Sequence, residues 1–195
     1  MPTWKEISDA NPNHSENYAR RWKMLQSQGN DIYGEARLVD AMAGRGSTIL
    51  DAGCGTGRLG AYLIKQGHTV VGTDIDPVLI EHAKRDVPEA RFYVGDLSAD
   101  EIPVTDVDIA VSAGNVMGFL APDGRDAALA NIFRSLKPKG RAVIGFGAGR
   151  GWGFDDFLDT ARRAGFAVDA VFESWDLNPF TEESTFLVAL LSKPA

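Results

Sequence analysis

The chain has 195 residues, 44% of them apolar and 24% charged, and a formal net charge of −7. This length suits one domain with a real core and is short for two, and the balance excludes a disordered chain. The acidic total disfavours a nucleic-acid partner, which selects a basic face; the local basic groups are Arg20, Arg21 and Lys23, and Lys137, Lys139 and Arg141.

The opening Met1-Pro2-Thr3-Trp4-Lys5-Glu6 lacks the basic start and apolar core of a signal peptide. No run of 18 or more apolar residues exists to span a membrane, so a cytoplasmic location away from membranes is expected. Ser15 to Gln28 and Gly34 to Ala43 read as two helices. They are expected to form a cap, residues 1–44, on a core of residues 45–195 within a single domain. Thr48 to Asp51 is a short apolar run ending in glycines, a buried strand. Arg58 to Lys65 is a helix with Leu59, Tyr62 and Leu63 on one face, stopped at Gly67. Thr69 to Thr73 is a second strand that ends at Asp74. Asp76 then caps a helix with Pro77 at its first position, running to Arg85.

Arg91 to Val94 and Val107 to Ala113 are the third and fourth strands. The segment between them, Leu97 to Asp106, is short for a full helix, so that crossover is expected to be reduced. A helix from Arg125 to Leu136 carries Leu129, Ile132, Phe133 and Leu136 at helical spacing and breaks at Lys137-Pro138-Lys139-Gly140. Arg141 to Phe146 is a fifth strand, followed by a glycine-rich loop and a helix from Phe154 to Ala164. Val168 to Trp175 and Ser184 to Leu191 are two more strands. The short join between them cannot make a parallel crossover, which takes about a dozen residues, so they are expected to pair antiparallel. The earlier strands, joined by helices, should be parallel and doubly wound.

Asp51-Ala52-Gly53-Cys54-Gly55-Thr56-Gly57 ends the first strand and opens the first core helix. Ligands of open parallel sheets bind outside the carboxyl ends of the strands, and glycines there let the backbone approach them closely. Asp74, at the second strand end, is placed to accept from ribose hydroxyls, which points to an adenosine-containing cofactor. Gly55-x-Gly57-x-x-Gly60 also matches the dinucleotide fingerprint. Asp51 separates the two readings: a pyrophosphate on this turn would meet a like charge, whereas the ammonium and sulfonium of S-adenosylmethionine would be favoured. Asp96, closing the third strand, is a third acid at a strand end. The single cysteine, Cys54, forms no internal disulfide, and His14, His68 and His82 are too scattered to make a metal site.

On these residues the chain resembles the class I S-adenosylmethionine-dependent methyltransferases. The glycine turn is similar to that family's first motif, Asp74 to its second-strand acid, Gly95-Asp96-Leu97 to its third-strand motif, and Leu136 to Arg141 to the turn before its fifth strand. The resemblance covers about residues 34–192. It implies a Rossmann-like, doubly wound α/β fold with a seven-stranded sheet of order 3-2-1-4-5-7-6 and an antiparallel final strand. It also implies roles by position. Asp51 and the Gly53 backbone would hold the methionyl part, with Ala52, Cys54, Gly55 and Gly57 also binding the cofactor. Asp74 would bind the ribose and Ile75 would lie against the adenine. Asp96 and Leu97 would read the adenine edge, and Ala113 to Asn115 would lie near the methyl. Arg37 or Tyr33 would reach the cofactor carboxylate. Gly114-Asn115-Val116-Met117 departs from the acid-or-Asn, Pro-Pro, aromatic pattern of adenine and glutamine N-methyltransferases.

Methyl transfer from a sulfonium depends mainly on aligning the acceptor, so the lack of a catalytic triad does not argue against it. The acceptor pocket is expected from Asn115, Met117, Phe119, Trp152, Trp175, Asp176 and Phe180, with Trp152 exposed between glycines and with Asp176 or His14 as candidate bases. A small-molecule acceptor is expected first and a protein next. A non-catalytic cofactor-binding partner or sensor and an NAD(P)-dependent oxidoreductase are the competing readings.

Overall fold

The computed structural model describes residues 2–195. Three helices precede the sheet: α1 (Trp4–Ala10), α2 (His14–Ser27) and α3 (Gly34–Met42). Then follow β1 (Thr48–Ala52), α4 (Arg58–Lys65), β2 (Thr69–Asp74), α5 (Pro77–Asp86), β3 (Arg91–Val94) and β4 (Val107–Ser112). The chain continues through α6 (Val116–Phe119), α7 (Arg125–Ser135), β5 (Leu136–Gly147), α8 (Phe154–Arg163), β6 (Ala167–Phe172) and β7 (Phe186–Ser192). The sheet runs β3-β2-β1-β4-β5-β7-β6, with β1 to β5 parallel and β7 antiparallel to both its neighbours.

Alternation along the strands builds two layers. Ile49, Ile109, Val143 and Val188 face α3 and α4 through Ala36, Val39, Leu59 and Leu63. Leu50, Ala110, Ile144 and Leu187 face α7 and α8 through Leu129, Ile132 and Phe157. Beside β3, α5 extends the first layer with Ile80 and Ala83 against Phe92. No helix lies between β3 and β4, so this crossover is reduced, as expected. Among the described residues no helix is long and apolar enough to cross a membrane, and no group of three or more His, Cys, Asp or Glu could hold a metal ion.

Several details differ from the sequence reading, among them the short helix α6, which was not expected. Helix α1 was not foreseen; a capping box between Thr3 and Glu6 starts it. Strand β5 begins at Leu136 rather than Arg141, because Leu136 pairs with Val107 before the chain bulges through Lys139 at φ 63°. Strand β6 ends at Phe172 rather than Trp175: Leu177 takes φ 66°, and Glu173 N–H donates to the Asn178 carbonyl, folding the chain into a turn. Trp152 is 4% exposed rather than open to solvent. Its ring packs on Phe157 and lies beneath the Arg125 guanidinium, 4.7 Å from the ring centre.

Candidate functional site

Two hollows meet above the carboxyl ends of β1, β2 and β4. The larger, of about 270 Å³, runs from Asp74, Ile75, Asp96, Leu97 and Ser98 toward Trp4 and Phe119. The smaller, of about 20 Å³, lies among Asp51, Cys54, Thr56, Arg58 and Trp22. Tyr18, Gly53, Ala113 and Gly114 line both.

The floor is the turn after β1. Gly53 and Cys54 donate to the Thr73 carbonyl at 2.8 and 3.0 Å, which draws the turn across to β2. Gly53 has φ 87°, and a Cβ on it would lie 2.3 Å from Val116 Cγ2, so no other residue fits without displacement. The turn then enters α4 through Gly57, and Arg58 is the first helical residue. Ala52 is buried beneath the turn, where its carbonyl accepts from Ser112 Oγ at 2.8 Å.

Two acids define the electrostatics. Asp51 is buried, and its Oδ2 has no hydrogen-bond partner. Burial pushes its pKa up to about 7, with Arg58 pulling it down and the Asp74 and Glu35 charges raising it further. Asp74 accepts from the Gly55 N–H (2.8 Å, Oδ2) and the Asp76 N–H (2.9 Å, Oδ1). Burial outweighs these bonds and lifts its pKa to about 6. The third acid, Asp96, accepts from Ser98 N and Oγ at 2.8 and 2.5 Å on the rim of the larger hollow. Burial also pushes the Cys54 thiol up, which keeps it protonated within the turn.

The structure gathers most of the expected residues here: Asp51, Gly53, Cys54, Gly55, Asp74, Ile75, Asp96, Leu97 and Ala113 all line one hollow or the other. Ile75 is 36% exposed on the wall, an apolar side chain left open to the cavity. Arg37 is not brought in. It forms an exposed pair with Asp31 at 2.6 Å, the two side chains 51% and 58% exposed. Tyr33 packs on Tyr62 instead. The arginine in the smaller hollow is Arg58, held by a two-pronged pair to Glu35 (2.8 and 2.9 Å) and stacked 4.2 Å from the Trp22 ring centre. Its signal was in the sequence: it directly follows the glycine turn.

Asn115 is not among the lining residues. It takes φ 67°, and its Oδ1 accepts from Gly147 N at 2.7 Å, tying the ends of β4 and β5 together. Of the expected acceptor-side residues, only Phe119 lines the cavity. Met117 and Trp152 are core; Trp175 lies over Gly145, Phe180 packs on Phe154, and Asp176 is an exposed turn residue. His14 packs edge-on against Trp4, 4.8 Å between ring centres. The roof comes from parts of the cap that sequence reasoning did not single out: Thr3, Trp4, Lys5 and Tyr18.

Comparison with known proteins agrees with this geometry. Residues 49–140 match a family model described as a methyltransferase domain. A TehB-like SAM-dependent methyltransferase from Corynebacterium glutamicum superposes with a TM-score of 0.92 at 67% identity, covering 94% of this chain and 100% of that one. An S-adenosyl-L-methionine-dependent Diels-Alderase from Talaromyces variabilis is 34% identical over 104 residues, 51% of this chain. The magnesium-protoporphyrin O-methyltransferase of Rhodobacter capsulatus is 38% identical over 93 residues, 45% of this chain. The chain spans only 36% and 40% of the length of these two curated relatives. The near-complete match to the Corynebacterium structure, together with the glycine turn and its strand-end acids, places the chain in the family of class I S-adenosylmethionine-dependent methyltransferases.

Proposed function

We propose that this chain moves the methyl group of S-adenosylmethionine to a small-molecule acceptor. One observation carries the cofactor side of this reading: a buried carboxylate oxygen at the end of β1, just before the glycine turn, Asp51 Oδ2, has no partner within the protein. An unpaired buried carboxylate is costly, and a cation seated beside it removes that cost. The methionyl ammonium is such a cation, and Arg58 in the same hollow suits the methionyl carboxylate. Asp74 would take the ribose hydroxyls, Ile75 the adenine face, and Asp96 with Leu97 the adenine edge. A pyrophosphate on this turn would face Asp51 directly, which disfavours a dinucleotide.

The bound sulfonium supplies an already electrophilic methyl. The chain's task is to orient the acceptor and exclude water, which can lower a barrier by about 7–11 kcal/mol in favourable cases. The acceptor end is walled by Trp4, Phe119 and Leu120. A cavity of about 270 Å³ sits at the small end of ligand pockets, and the cofactor would fill much of it. That size and the net charge of −7 favour a small acceptor over a nucleic acid.

The test is calorimetric titration with S-adenosylmethionine, S-adenosylhomocysteine and NAD, followed by a small-molecule acceptor screen read by release of S-adenosylhomocysteine. Binding of the first two without NAD, and turnover on a small molecule, supports the reading. Binding of NAD alone would overturn it. A second outcome is worth separating, because one relative is named for a Diels–Alder reaction: cofactor binding with no methyl transfer to any acceptor would make the domain a cofactor-binding partner instead.

A further inference from the structure

The two hollows divide the cofactor, and the division points to one side chain. This rests on the cofactor reading above. The adenosyl half belongs with Asp74 and Asp96 and the methionyl half with Asp51 and Arg58. Sulfur is the atom that joins the two halves, so the sulfonium must lie where the hollows meet. The four residues common to both are Tyr18, Gly53, Ala113 and Gly114. Three of them carry no side-chain polar atom. The fourth, Tyr18, carries a hydroxyl.

That hydroxyl is held over the junction. It lies 3.7 Å from where a Cβ on Gly114 would stand and 3.9 Å from the same point on Gly55, so it spans the gap between the turn after β1 and the end of β4. The ring is fixed edge-on between Trp4 (5.3 Å, 84°) and Trp22 (6.2 Å, 74°), both supplied by the cap.

We propose that Tyr18 is the residue at the methyl-transfer point, its phenol oxygen facing the sulfonium methyl and favouring S-adenosylmethionine over the demethylated product. A methyl on a sulfonium bears partial positive charge, and an oxygen lone pair close to it makes a weak C–H···O contact. The thioether product has no such methyl. The phenol does this work uncharged: burial raises its pKa above the ordinary tyrosine range, an effect opposed by Trp22 and Arg58 and reinforced by Asp74 and Asp51. Tyr18 therefore acts as a positioning group rather than as a base.

The experiment needs no acceptor. Tyr18→Phe keeps the ring contacts and removes only the oxygen. Titrated against both ligands, it should weaken S-adenosylmethionine by about two- to fivefold, the value of one such contact, and leave S-adenosylhomocysteine unchanged. Equal weakening of both ligands would overturn the proposal, since the hydroxyl would then merely shape the pocket, and would leave the cofactor reading standing. Failure of the wild-type protein to bind either ligand would sink both. The second measurement uses the unaltered protein with [methyl-¹³C]S-adenosylmethionine and labelled tyrosine. A nuclear Overhauser contact between the methyl and the Tyr18 ring supports the proposal. Absence of that contact in the saturated complex overturns it.

Discussion

The indole N–H of Trp4 donates to Oδ2 of Asp76 at 2.7 Å, fastening the start of the chain to the carboxylate that caps α5. The Ser15 hydroxyl binds the same oxygen, while Oδ1 accepts from Val78 N and Leu79 N at 2.9 and 3.3 Å. Asp76 thus anchors α1, α2 and α5 at one buried point beside Asp74 at the cavity wall. Replacing it with alanine should destabilise the protein by about 2 kcal/mol in urea unfolding, from the lost cap and the two freed donors. Amide exchange in residues 4–18 should accelerate more than exchange in β1 or β4. Uniform acceleration would show that Asp76 supports the whole fold and not the roof in particular.

The raised pKa of Asp51 sets a pH dependence. Between its ordinary value of 3.8 and about 7, the folded chain holds a proton that the unfolded chain has released. Stability of the ligand-free protein should therefore fall as pH rises through this window and level off above it. Affinity for S-adenosylmethionine should move the opposite way, because only ionised Asp51 attracts the ammonium. It should climb up to about pH 7 and then plateau, with a second contribution near 6 from Asp74. Asp51→Asn should cost roughly ten- to a hundredfold in affinity at pH 8, as for one charge-assisted hydrogen bond, while raising the melting temperature of the free protein. Calorimetry and thermal melts across pH 5–9 read both effects; a variant less stable than wild type at pH 8 would contradict the account of Asp51 as a buried, unpaired charge.

Arg58 and Arg37 make a matched pair of tests. Arg58 lies in the smaller hollow with its side chain 9% exposed, whereas Arg37 is 51% exposed and bound to Asp31. Arg58→Gln should weaken S-adenosylmethionine binding by about tenfold or more through loss of a charged partner for its carboxylate. Arg37→Gln should leave the titration unchanged, since exposed pairs contribute little. The reverse result would return the cofactor carboxylate to Arg37.

Gly53→Ala should destabilise by about 2–3 kcal/mol, combining a left-handed dihedral with the contact on Val116. Val116 is β-branched and cannot swing aside easily. Adding Val116→Ala should restore the part due to the contact and leave the dihedral cost of about 1–2 kcal/mol. Urea denaturation of the single and double variants separates the two terms.

What was legible in the sequence follows from where each signal resides. The glycine turn, Asp51, Asp74 and Asp96 are read from local pattern, because strand ends and helix starts are written within a few neighbouring residues. The short apolar runs that became β1, β2, β4 and β7 are equally local, as was the shortened crossover before β4. Trp152 was misread because flanking glycines suggest exposure, yet Phe157 on the following helix and the sequence-distant Arg125 cover its ring. The sequence reading named Arg37 or Tyr33 and passed over Arg58, because partners decide which arginine turns inward: Asp31 holds Arg37 outside, and Glu35 holds Arg58 in the smaller hollow. Asn115 was expected at the cofactor; its side chain makes a long-range bond to Gly147 and is not among the residues lining either hollow. Helix α1 has no buried residue of its own, so no apolar stripe announced it, although Thr3 and Glu6 marked its start.

The cap has a consequence for how this family is sorted by sequence. The methyltransferase model matches residues 49–140, which hold the turn and all three strand-end acids. Trp4, Lys5 and Tyr18, which roof the cavity, lie before that span. Two proteins can therefore agree throughout the shared motifs and still present different surfaces to the incoming molecule. Grouping relatives by residues 3–22 together with 116–121 should track acceptor chemistry more faithfully than grouping them by the glycine turn.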